Sequence, residues 1–374
     1  MKKYKSSKII NYYRLRRYKR YKRRLFLSIY NIKILRAYKI LIIMFLLIIL
    51  LYIILKLKIL NKIHIAINMD NRYIYSCIVF LTSLLDNRAK STYYVIHILT
   101  NGKLSIDSKN KIINTTETFG KKNSEVIFYD LGDDFKGATI SFFATSVYYR
   151  ISLPSVLSKI DKVIYSDIDV VNFKDLTEMY NIKFEKDKYI CGVLEGINLK
   201  KDVENLGIQT DKYINAGILL MDLKTMREKS IEKKLRDFIA THVLKYCDQT
   251  AINAVCSNNI QVISYKYNAY VLNSYNDLVK INNGQNLIYR YKEYEIYQAY
   301  HEPTFFHFCG PCKPWRRSCG NFNKAYWWYY AKKSGFYKEI LNHYKNDINY
   351  VEKLLNEIPN NGGLIKRKYA KFKY

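Results

Sequence analysis

The sequence predicts an α/β protein built on a mostly parallel, doubly wound sheet, and three observations carry that prediction. Short apolar runs that read as strands alternate with helical segments from Ile63 onward, the pattern of successive strand–helix–strand units. Acids stand at strand exits, Asp70 just past the first strand and Asp167 and Asp169 at the end of a later one. In such sheets ligands bind at the carboxyl ends of strands. The chain has 374 residues, 49% of them hydrophobic, enough for one large domain with appendages or for two small domains.

The elements follow in order. Residues 1–39 form a basic arm with fifteen Lys or Arg and no acid. Ile40 to Leu55 is an uncharged apolar run, ILIIMFLLIILLYIIL, which Leu57, Ile59 and Leu60 lengthen. Sixteen residues fall slightly short of the roughly 20 that cross a bilayer, but flanking lysines can snorkel, so 40–60 reads as a transmembrane or membrane-anchoring helix. It has no polar face to meet water, and no small-x-small cleavage site follows it. The basic excess before the run, against Lys56, Lys58 and Lys62 after it, puts the N-terminus on the cytoplasmic side. A spanning helix then carries the body out of the cytosol, whereas a shallow anchor with the arm on anionic headgroups keeps it inside. The expected localisation is the membrane, with the side of the body open.

The body is expected over 63–335, with a C-terminal helix and a basic aromatic tail over 336–374. Ile63 to Asn68 reads as the first strand and Ile74 to Leu85 as a helix. Strands follow at Tyr93 to Leu99 and Glu125 to Tyr129. Thr145 to Leu157 reads as a helix that Pro154 kinks or ends, and Val163 to Tyr165 as the strand before Asp167 and Asp169. Tyr189 to Leu194 is a strand ending at Glu195. A further strand runs through YINAGILLMDL, and a long amphipathic helix is expected over Thr225 to Val243. Asp248 and Gln249 open another helix, where an acid suits the helix dipole. The last short strand precedes HFCGPCKPW.

Composition restricts the partners. The net charge of +30 invites a nucleic-acid reading, but from Asp70 onward there are 44 basic and 32 acidic residues. A mildly basic body suits small polyanions and needs no DNA or RNA. Residues i and i+2 of a strand share a face, so Asp167 and Asp169 can converge on one cation. Carboxylate oxygens suit Mg or Mn better than Zn. Seven cysteines at irregular spacing leave the redox compartment undecided. Cys309-x-x-Cys312 has no second such pair to complete a zinc site.

D-I-D at a strand end, YINAGILLMDLKTMR, DQTAIN and HFCGPCKPW, in this order, resemble glycosyltransferase family 8 over about residues 63–330. That family has a GT-A type nucleotide-diphospho-sugar transferase fold and is retaining, using UDP-sugars with Mn²⁺. The resemblance implies a UDP-sugar donor, a saccharide or glycolipid acceptor, and Mn²⁺ or Mg²⁺ on Asp167, Asp169 and His307. It implies that Asp70 faces the uracil, that Arg150, Gly310 and Lys313 meet the diphosphate or donor, and that Asn215, Asp248 and Gln249 line the donor sugar, with Gln249 near the anomeric carbon. Glu195 matches an acid that contacts the sugars. Arg72 departs from the pattern, standing where Asn often touches the ribose, and Cys312 replaces a variable residue. Independently, a sugar leaves a diphosphate only if developing negative charge is stabilised, which a divalent cation with Lys and Arg supplies. Gln249, a neutral amide, is no strong nucleophile.

Two rivals stand beside a glycosyltransferase. A membrane-tethered, non-catalytic polyanion- or carbohydrate-binding protein needs a broken site, whereas every metal and phosphate position is filled. A Mg-dependent phosphotransferase usually has a small polar residue after the second Asp, where this chain has Val170-Val171. Tyr326 to Tyr330 is YWWYY; successive helical residues step by about 100°, so some of these rings are expected to be exposed, for acceptor stacking or a membrane interface.

Overall fold

A computed structural model describes residues 3–58, 61–135, 145–195, 206, 208, 212–270, 290–321 and 323–358. The basic aromatic tail over 366–374 lies outside them. Two units are separate in their contacts, 1–60 and 61–374. In the first, arm and apolar run form one continuous helix, α1 (Lys3–Lys58). Between Arg16 and Leu51 it is long and apolar enough to cross a membrane, and its apolar side chains there are exposed.

In the second unit the strands are β1 (Asn61–Asn68), β2 (Thr92–Thr100), β3 (Ser124–Asp130), β4 (Lys162–Ser166), β5 (Val170–Asn172), β6 (Ile190–Leu194), β7 (Ile214–Asp222), β8 (Ile260–Val262) and β9 (Phe305–His307). Among the described residues they make a seven-stranded sheet, β3-β2-β1-β4-β7-β6-β8, and a two-stranded ribbon, β5-β9. β1 through β4 pair in parallel, while β7 runs antiparallel to both β4 and β6. The reversal brings the start of β7 beside the end of β4, with Ser166 opposite Ile218.

Period-two alternation builds a core on each face. Ile63, Ile65 and Ile67 of β1 and Ile164 of β4 face one apolar layer with helix α2 (Ile74–Asp86); Ala66, Val163 and Tyr165 face the other. Completely buried strands explain runs such as ILLM in β7, which show no alternation in sequence.

Three local expectations change. Thr145 to Ser152 is a 3-10 helix, and only Leu153–Val156, with Pro154 in its first turn, is α-helical. The helix expected over Thr225 to Val243 is two, Leu223–Glu228 and Ile231–Thr241, separated at Ser230, which takes a left-handed φ of 52°. The aromatic run lies on helix Lys324–Lys333, where Tyr326, Trp327, Trp328 and Tyr330 are buried and Tyr329 is half-buried. The expected exposure fails because this helix packs against α2, β5, Tyr337–His343 and Ile348–Leu355, so most of its circumference is core.

Candidate active site

β4 delivers Asp167 and Asp169 to the site, and β5 carries the chain onward into pairing with β9. That ribbon sets Val170 opposite His307. Asp167 N–H donates to Gly217 O at 2.7 Å, and Phe308 N–H donates to Asp169 O at 2.9 Å. The two acids and His307, 140 and 138 positions away in sequence, are thereby fixed by backbone hydrogen bonds. One ligand atom from each of Asp167, Asp169 and His307 lies within 4.8 Å of the others. His307 Nε2 stands 3.3 Å from Asp169 Oδ1 and 3.8 Å from Asp167 Oδ2.

The remaining oxygens of the two acids are held by different cations. Asp167 Oδ1 accepts from Arg150 Nη2 and Tyr165 OH, each at 2.9 Å. Asp169 Oδ2 accepts from Lys313 Nζ, which also donates to Phe308 O at 2.9 Å. Burial raises the Asp169 carboxyl pKa, but Lys313 and His307 more than reverse this and hold it well below the usual carboxylate range. Lys313 is opposed by burial and raised on balance by Asp169.

Arg150, implied to contact the donor, is engaged on every side. Its side chain is 5% exposed, with Asp167 at one edge and Asp248 Oδ2 2.9 Å from Nε. Its Nη1 donates to Ala216 O, and its plane lies 4.1 Å from the Tyr165 ring centroid. Arg150 Nε reaches Asp248 without hydrogen-bond alignment, so Asp248 Oδ2 is buried with no hydrogen bond among the described residues. Burial pushes the Asp248 carboxyl up to about 6.

The other residues form one hydrogen-bonded chain. Gln249 Oε1 accepts from Ala216 N–H at 3.0 Å, and its Nε2 donates to Glu195 Oε2 at 2.9 Å. Glu195 Oε2 also accepts from Asn215 Nδ2 at 3.0 Å. Asn215 Oδ1 accepts from Gly217 N–H and from Asn268 Nδ2, both at 2.9 Å. Asn268 Oδ1 lies 3.1 Å from His307 Nδ1, fixing that nitrogen as the protonated one and freeing Nε2 to face the acids. Asn268 was not singled out from the sequence; an Asn between aromatics in YKYNAY carries no local signal. Gly217 is required by the same packing, since a Cβ there would fall 2.2 Å from His307 Cε1. Gly310, at a left-handed φ of 72°, turns the chain between β9 and Lys313.

Asp70 sits apart, beyond β1, in a cavity of about 270 Å³ lined by Asp70, Asn71, Arg72, Asn101 and Lys103. Arg72 folds back onto it: Nη2 lies 2.7 Å from Oδ2, and both Nε and the backbone N–H of Arg72 donate to Oδ1. The C-x-x-C also resolves differently from a zinc site, because Cys312 is bonded to Cys319.

The chain matches known proteins in sequence and in fold. The family model described as Glycosyl transferase family 8 matches residues 64–319. General stress protein A of Bacillus subtilis is 26% identical over 261 residues, covering 67% of this chain and 87% of that one. Lipopolysaccharide 1,3-galactosyltransferase of Salmonella typhimurium is 24% identical over 268 residues, covering 68% and 73%. Among solved structures, the galactosyltransferase LgtC in complex with donor and acceptor sugar analogs superposes with a TM-score of 0.62 at 22% identity, over 72% of this chain and 96% of that one. The fold is the GT-A type.

Proposed function

The chain belongs to glycosyl transferase family 8, and from that premise we propose that this glycosyltransferase moves a hexose from a UDP-sugar to a saccharide or glycolipid acceptor at a membrane, with a divalent cation and with retention. The observation that carries the proposal is the convergence of Asp167, Asp169 and His307. Two carboxylates and one imidazole suit Mn²⁺ or Mg²⁺, and Asn268 already orients the imidazole. These three residues would hold the ion, which when bound supplies charge neutralisation for the departing diphosphate.

The chain's own residues do the rest. Lys313 Nζ, resting on Asp169 at the cluster's edge, can turn to a diphosphate oxygen while keeping Phe308 O. Gln249 and Asn215, aligned through Glu195, present amides toward the sugar rather than a strong nucleophile. Arg150, itself held by Asp248, orients Asp167. Asp70 marks the nucleoside end, where a base must share the acid with Arg72 or displace it. The membrane assignment rests on the length and apolarity of α1 and the acceptor class on the lipopolysaccharide transferases among the relatives.

The test is incubation of the full chain with a panel of UDP-sugars and Mn²⁺, following slow hydrolysis or transfer. Metal-dependent consumption of one sugar is expected. Full activity after EDTA treatment overturns the cation's role, and no consumption of any UDP-sugar overturns the donor class.

A further inference from the structure

Lys313 lies on a loop, and a loop does not by itself hold a charge to the tolerance that diphosphate binding needs. The segment after β9 is nevertheless tied at both ends. Its start leaves β9 through Phe308, whose N–H is held by Asp169 O. Its far end, Cys319, is 2% exposed, and its carbonyl accepts from Lys324 Nζ at 2.6 Å. Lys324 is itself buried and donates to Tyr350 OH at 2.7 Å, which ties Cys319 to two C-terminal helices. The Cys312–Cys319 disulfide carries that anchorage across the loop to the residue immediately before Lys313. Within the closed ring, Arg316 N–H donates to Lys313 O and Cys319 N–H to Arg316 O, and Trp315 packs on Trp327 and Tyr344.

We propose that the Cys312–Cys319 disulfide is a positioning device for Lys313, holding its ammonium at the donor's diphosphate, so that opening the bond weakens the donor grip. This rests on Lys313 serving as a diphosphate contact. Cα of Cys312 is held 4.7 Å from that of Cys319, and the adjoining residue cannot wander while the bond is intact. Reduction by a dithiol delivers two electrons and two protons to the S–S bond, yielding two thiols and the oxidised dithiol. It leaves every charge at the site in place and removes only the tether. Lys313 must then be ordered at the moment of binding, which costs affinity. Because the device acts through one side chain, its effect should vanish when that side chain is gone.

The experiment measures the Kd of UDP with Mn²⁺ for the full chain in four states: parent and Lys313→Ala, each oxidised and after dithiothreitol treatment and its removal. Cys312→Ser, at a half-buried position, repeats the opening without reductant and spares the buried Cys319. Reduction and Cys312→Ser should each weaken UDP binding to the parent by about three- to tenfold, the range that ordering one long side chain gives. Neither should change binding further in Lys313→Ala. Equal Kd in the two redox states of the parent overturns the proposal, as does the same ratio in Lys313→Ala. No UDP binding by the oxidised parent overturns the donor reading itself, and the disulfide's role with it.

Discussion

Each acid of the D-I-D is gripped by one cation, and the two grips are built in opposite ways. Arg150 reaches Asp167 from a 3-10 helix packed on the sheet, with a second carboxylate, a backbone carbonyl and an aromatic face completing its surroundings. Lys313 reaches Asp169 from a loop, its side chain 23% exposed and its other contact a single carbonyl. A guanidinium with its donors occupied cannot turn to a ligand without abandoning buried acids, whereas an ammonium on a flexible stem can. On the function proposed above, the Asp167 grip would serve the scaffold and the Asp169 grip the chemistry, whereas the resemblance implies one class for Arg150 and Lys313.

The largest effect should come from breaking the scaffold grip. Arg150→Ala leaves half-buried Asp167 and buried Asp248 without their cation and should cost about 3 to 5 kcal/mol of stability, read by denaturant unfolding. Arg150→Lys should recover only part, because a point charge cannot replace the fork. A variant as stable as the parent would place Arg150 with Lys313 after all.

Asp169→Ala should spare the fold and lower UDP-sugar turnover by about 10³, the upper range for one preorganised charge-stabilising group. Added Mn²⁺ should not restore it, while the parent stripped by EDTA should recover when Mn²⁺ returns. Near-normal turnover by folded Asp169→Ala would reduce the D-I-D to a solvated turn. Lys313→Ala should lower kcat/KM by about 10² and cost less stability than Arg150→Ala, because His307 remains beside Asp169. Loss of stability without loss of kcat/KM would invert the comparison.

The smallest effect supplies a reference away from both grips. His97 on β2 stacks on His64 and lies 3.0 Å from Tyr129 OH; burial, then His64 and Lys62, lower its pKa to about 4. The unfolded state binds this proton more readily, so stability is complete above about pH 6.5 and falls as pH drops toward 4, by at most about 1.4 kcal/mol per pH unit. His97→Gln should flatten that slope with UDP-sugar turnover at pH 7 unchanged. An unaltered slope would assign the acid sensitivity to other groups.

The strand–helix alternation, the acid-ended β4 and His307 were legible because each rests on local periodicity or a short motif. The Arg150–Asp248 pair, the Asn268–His307 bond and the Cys312–Cys319 bridge were not. The first two join segments far apart in sequence, Thr145–Ser152 to Cys247–Cys256 and Tyr265–Asn268 to Phe305–His307, and nothing within either segment encodes that meeting. The buried aromatic helix failed for the related reason that amphipathicity assumes one core face, and this helix is covered by elements as distant as α2 and Ile348–Leu355.

Gly217 gives the cluster a dependence on something absent. The space beside His307 Cε1 exists only because a residue on a different strand has no side chain. Transplanting two aspartates and a histidine into another sheet would therefore not transplant the centre: the recipient would also need a bare backbone position directly across from the imidazole. For anyone grafting or designing such a cluster, that vacancy is as much a part of the specification as the three side chains.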